Sequence, residues 1–139
     1  MFGVTGRRLL ALAAALCICA APGFARRVNI TITITAGTPV QISAQPKIAN
    51  RIFVQMVTGG TGRGYVMDGI PVGVTPDPTV SGQLTAELAP ATATAPGGTY
   101  TDGGPGTTAA TNGGIDLQRF WVGGSNTGDK IIVSYDERN

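Results

Sequence analysis

The chain has 139 residues, of which 21 are Gly and 9 are Pro, with ten Lys plus Arg against eight Asp plus Glu and no histidine. Its length and its share of turn-forming residues bound it to one small domain. Without an imidazole, a Ser/His/Asp or Cys/His relay and most catalytic zinc sites are excluded, so the sequence reads as non-enzymatic and cofactor-free.

Met1 to Ala25 carries Arg7 and Arg8, an apolar run from Leu9 to Ala21 and the ending Gly23-Phe24-Ala25. A basic start, a short apolar stretch and small residues before a cut are the layout of a cleavable secretory segment. Cleavage is predicted after Ala25, with Ala20 and Ala21 as alternative sites; the other reading of residues 1–25 is a start codon placed too far upstream. A retained anchor needs about 20 apolar residues, more than this run supplies. Both cysteines, Cys17 and Cys19, fall inside the run. A chain starting at Arg26 therefore has no thiol for a disulfide, a nucleophile or a metal. Losing Arg7 and Arg8 leaves 10 − 2 = 8 basic against 8 acidic residues. Such a neutral chain has no field to attract phosphate, which argues against nucleic acid as a partner. The localisation implied is extracellular or periplasmic if the segment is an export signal, with no membrane association after cleavage, and the virion otherwise.

Residues 26–139 read as one β-sandwich or jelly roll. Val28 to Ala36 alternates apolar Val28, Ile30, Ile32 and Ile34 with Asn29, Thr31, Thr33 and Thr35, the period of a half-buried strand. Val40-Gln41-Ile42 suggests a short second strand, and the near-continuous apolar run Arg51 to Val57 a central strand covered on both faces. Gly59-Gly60-Thr61-Gly62 is read as a plain hairpin turn into Gly64 to Met67, and Asp68-Gly69 as a turn into a further strand over Ile70 to Val74, making a meander. Gln83 to Leu88 fits a strand or one helical turn. Ala89 to Gly114 holds seven Gly, seven Thr, six Ala and three Pro and no Leu, Ile, Val or Phe, and is expected to be a long exposed, flexible loop. Ile115 to Val122 and Lys130 to Tyr135 complete seven to nine strands, the last entered through the turn Asn126-Thr127-Gly128-Asp129. The expected core is Ile30, Ile32, Ile34, Ile52, Val54, Val66, Leu117, Ile131 and Val133.

Few constellations carry chemistry. The cluster Gly59 to Gly64 lacks the Gly-Lys-Ser or Gly-Lys-Thr of a phosphate loop. Asp68, Asp77, Asp102, Asp116 and Asp129 are single and sit mostly beside Gly or Pro, where side chains bond their own turn amides, and no Asp-x-Asp-x-Asp calcium spacing exists; the metal set is empty. Acid–base chemistry by Asp68, Asp102 and Asp116 is the enzymatic alternative. Tyr100, Phe120 and Trp121, with Arg119, form the candidate interaction surface: Phe120 and Trp121 are adjacent, so on a strand one fills the core and the other meets solvent or a partner.

Two stretches, Ile34 to Ser43 (ITAGTPVQIS) and Phe120 to Tyr135 (FWVGGSNTGDKIIVSY), resemble small structural proteins of tailed bacteriophages, with Asn50 to Gln55 and Gly64 to Gly69 falling where that family also places strands. The resemblance implies a compact β-sandwich that decorates or completes a virion. The export-like segment and the long stretch 89–114 depart from that family. The expected function is a structural or decoration subunit of a virion or extracellular assembly, whose partners are copies of itself or other structural proteins. The alternative is a secreted carbohydrate-binding or adhesin module that takes a glycan. With only 13% charged residues, little repulsion opposes association through the strand starting at Val28 or the Phe120/Trp121 strand.

Overall fold

Alternating β-branched residues and closely spaced turn formers build strands throughout. The computed structural model describes residues 25–80, 82–103 and 113–138. The expected secretory segment lies outside these residues except for Ala25. Nine strands are described: β1 Arg26–Thr33, β2 Val40–Gln41, β3 Ile48–Met56, β4 Gly64–Met67, β5 Ala86–Leu88, β6 Thr99–Gly103, β7 Ile115–Asp116, β8 Trp121–Gly124 and β9 Lys130–Glu137. One 3-10 turn, Leu117–Arg119, joins β7 to β8, and its Gln118 amide donates to the Asp116 side chain.

The strands form two antiparallel sheets, β1-β9-β3-β6 with β7 paired to the start of β3, and β2-β8-β4-β5. With β7 set aside, the chain is one long antiparallel ribbon in which β1 pairs β9, β2 pairs β8, β3 pairs β6 and β4 pairs β5. The ribbon is rolled so that β9 also meets β3 and β8 also meets β4. That is the strand order of a jelly roll.

The core lies between the sheets. Ile52, Val54 and Met56 of β3 and Ile131, Val133 and Tyr135 of β9 face Val66, Leu88, Val122 and Phe120, all buried. Burying each such side chain contributes about 1.5–3 kcal/mol. Of the expected core, Ile30 and Ile32 are only half-buried, because β1 is an edge strand with a neighbour on one side.

Four local expectations differ from the structure. Arg51 to Val57 is not covered on both faces: Arg51 is exposed and Phe53 and Gln55 half-exposed, since no described element lies over the outer face of the β1-β9-β3-β6 sheet. Gly59 to Gly64 is not a hairpin but a corner carrying the chain from one sheet to the other. It is held by the β8–β9 turn, where Asp129 Oδ2 accepts from Gly62 N at 2.7 Å and Ser125 Oγ from Arg63 N at 2.9 Å. Ile70 to Val74 forms no strand; Ile70 is buried and its amide donates to Arg119 O at 3.2 Å.

The fourth concerns 89–114, within which Thr99–Gly103 is strand β6, in register with β3 from Gln55↔Thr99 to Arg51↔Gly103. A strand can form without large side chains where its backbone bonds are supplied by a neighbour, and here Gly97 N donates to Met56 O and Met56 N to Gly98 O. The glycines admit this close approach, for a Cβ at Gly97 would stand 2.5 Å from Ala89 O. At the end of β6, Gly103 has φ +91° and a Cβ there would strike Asn50 O and Arg51 Cα. Residues 104–112 lie outside the described residues.

Candidate interaction surface

The longest open edge belongs to β1, whose eight residues pair with β9 without a break from Arg26↔Glu137 to Thr33↔Lys130. Just beyond the strand, Ile34 N donates to Asp129 O at 2.8 Å and Ile34 O accepts from Gly128 N at 3.0 Å. Backbone groups alternate in direction along a strand, so Val28, Ile30 and Ile32 also turn theirs to β9. Those of Arg27, Asn29, Thr31 and Thr33 point away, and among the described residues no strand pairs with them. Edges usually carry proline, charged side chains or a bulge against strand addition; β1 has no proline and no bulge, and its charges, Arg26 and Arg27, stand together at one end. The other three edges are shorter: β6 has five residues, β5 three and β2 two.

The structure sets Phe120 and Trp121 on opposite faces, as their adjacency implies. Phe120 is wholly buried, and its ring lies 6.1 Å from that of half-buried Tyr100, tilted by 44°. Phe120 is therefore the member of the candidate surface that packs into the core. Trp121 points to the opposite face, beside its cross-strand partners Gln41 and Met67. Met67 and Ile70 are buried there, apart from the inter-sheet core, because the chain leaving β4 folds back over this face. Arg119 is exposed, yet its guanidinium ties that connection down, Nη2 donating to Gly69 O at 2.6 Å and Nε to Ile70 O at 3.2 Å. Trp121 is thus half-covered by its own chain, with its indole Nε1 sealed and, among the described residues, without a partner. The exposed apolar groups on this side are Val72, Val74 and Val80 of the β4–β5 connection.

The carboxylates mostly serve turns. Asp68 Oδ1 accepts from Gly69 N, Asp102 Oδ1 from Gly103 N, Asp116 Oδ1 from Gln118 N, and Asp77 Oδ1 from Thr79 N and Oγ1. Asp129 instead bridges two loops through Gly62. The fold nonetheless brings Asp102 and Asp116 within electrostatic reach of Asp68. Burial raises the Asp68 carboxyl, aided by Asp102 and Asp116 and opposed by the Gly69 amide and the Arg119 guanidinium. Burial, then Asp102 and Asp68, push the Tyr100 phenol up to about 12. Among the described residues no three acidic, His or Cys side chains gather closely enough to hold a metal.

The outer face of the β1-β9-β3-β6 sheet holds a feature the sequence reading missed, a shallow cleft of about 380 Å³ around Phe53, flanked by Arg27, Asn29, Arg51, Ser134 and Asp136. Arg27 Nε lies 3.3 Å from Asp136 Oδ1. Its residues come from three strands that are neighbours only through the pairings of β9 with β1 and β3, so no local pattern marks it. The alternation of Arg51, Phe53 and Gln55 with Ile52, Val54 and Met56 was the one available signal that Phe53 turns outward. No family model, curated protein or solved structure matches the chain.

Proposed function

We propose that the chain is a non-enzymatic structural or decoration subunit of a virion or extracellular assembly, joined to its neighbours by strand addition at β1. The observation that carries this reading is the unbroken eight-residue edge, with backbone groups of Arg27, Asn29, Thr31 and Thr33 that no strand among the described residues pairs. Main-chain bonding along such an edge gives affinity without charge or a deep pocket. The equal acidic and basic counts of residues 26–139 oppose close packing little. Jelly rolls serve viral capsid proteins and lectin domains alike, an analogy of fold only.

The test is peptide mass spectrometry of purified particles and of cell-free supernatant from the source. Stoichiometric recovery in particles supports the reading, and its N-terminal peptide distinguishes a cleaved segment from an upstream start. Recovery only as a soluble chain beginning at Arg26 overturns the virion role.

The Phe53 cleft favours a second reading, a secreted glycan-binding module in which a sugar ring lies on Phe53 and bonds Asn29, Ser134 and Arg51. Glycan binding that is lost in Phe53→Ala would establish it. Half-covered Trp121 and Tyr100, packed on Phe120, give that reading no platform.

A further inference from the structure

We propose that the occupant of the β1 edge is a second copy of this chain, the two β1 strands pairing antiparallel about a two-fold axis through Ile30 and merging two sheets into one. This rests on the structural-subunit reading and names the first partner of its edge.

Symmetry and the pleat together restrict the register to axes that pass through a residue, and the outward backbone groups choose among them. A two-fold axis normal to the sheet keeps the core face of one copy level with that of the other. Residues that face each other across the junction must then point to the same side, which excludes any axis passing between two residues. With the axis at Ile30, Ile30 meets its own symmetry mate, Val28 meets Ile32, Asn29 meets Thr31 and Arg27 meets Thr33. The pairs Asn29–Thr31 and Arg27–Thr33 are those whose N–H and C=O groups point outward, so every free group of the edge finds a partner. An axis at Asn29 would set Arg26 against Ile32 and leave Thr33 opposite Ala25, which lies outside the strand.

Charge agrees with this arrangement. The two arginines of β1 stand at one end, and Arg27 is held by Asp136 of its own β9. Antiparallel pairing puts each Arg27 across from a threonine, whereas a parallel pair would bring the two Arg26-Arg27 ends together. The half-buried side chains of Val28, Ile30 and Ile32 would be covered further, and the facing pairs are apolar on one face and Asn, Thr or Arg on the other.

Three variants of the full chain test the proposal. At the axis the Ile30 pair is of the non-hydrogen-bonded kind, with Cα atoms about 4.5 Å apart, within disulfide range. In a Cys17→Ser, Cys19→Ser background, Ile30→Cys is expected to convert most of the protein to a covalent dimer on mild oxidation. Asn29→Cys, facing Thr31 and not itself, is expected to stay mostly uncrosslinked. Thr31→Pro removes an amide that β9 does not use, so the monomer keeps its ladder and its circular dichroism, while the sedimenting mass falls from dimer to monomer. A monomeric parent, a dimer that survives Thr31→Pro, or crosslinking at position 29 in preference to 30 would each overturn it. A monomeric parent still found stoichiometrically in particles sinks the dimer and leaves the structural role standing. A dimer absent from every particle does the reverse.

Discussion

Replacing Phe120 by alanine separates its two assignments sharply. The side chain is wholly buried between the sheets and packs on the Tyr100 ring at 6.1 Å. Truncating a fully buried Phe costs about 3–5 kcal/mol through lost transfer energy and the cavity left behind. The total stability of a domain this size is about 5–15 kcal/mol. Phe120→Ala should therefore remove about a fifth of it or more, lowering Tm by about 12–20 °C at about 4 °C per kcal/mol. Urea unfolding followed by the fluorescence of Trp121, the single tryptophan, should show a midpoint about 2–3 M lower, for a slope near 1.5 kcal/mol per M. A surface contact residue would change stability by no more than about 0.5 kcal/mol. A loss under about 1 kcal/mol would refute the placement of Phe120 in the core, and with it the packing of β6 on that ring.

Three further outcomes follow from the same structure. Gly64→Ala places a Cβ 2.6 Å from Met56 Sδ and 3.2 Å from Leu88; overpacking should cost about 1–3 kcal/mol, read by thermal unfolding. Arg119→Ala frees the carbonyls of Gly69 and Ile70 and should speed proteolysis within the β4–β5 connection several-fold while lowering global stability by about 1 kcal/mol. The raised phenol of Tyr100 binds its proton more tightly folded than unfolded, so the stability it supplies is complete below pH 10 and lost as pH rises toward about 12. Two units correspond to at most about 2.7 kcal/mol, which solvent screening of a half-exposed ring reduces to about 1 kcal/mol. Tyr100→Phe should flatten that part of the pH–stability curve relative to the parent, and an unchanged slope would contradict the assignment.

Strands β1 and β9 were legible because one half-buried face imposes a period of two on Val28 to Ile34 and on Lys130 to Tyr135. The Asn126 to Asp129 turn was legible because its residues bond their own surroundings. β6 was not, because a strand made of Thr, Tyr, Asp and Gly draws its order from the β3 backbone and from glycine close packing, neither of which leaves a hydrophobic pattern. Adjacency of Phe120 and Trp121 showed that they face opposite ways. That Trp121 is covered by the chain leaving β4 depends on the contact between Arg119 and the Gly69-Ile70 carbonyls, some fifty residues apart in sequence. The approach of Asp102 and Asp116 to Asp68, and the cleft around Phe53, likewise exist only once the ribbon is rolled.

The most direct measurement is the copy number of the parent chain and of Thr31→Pro in the assembly isolated from the source, with folding of the variant checked by circular dichroism. The structural role through β1 predicts stoichiometric incorporation of the parent and at least a tenfold loss for the variant. Equal incorporation of both would contradict association through this edge, and absence of the parent from the assembly would contradict the structural role itself.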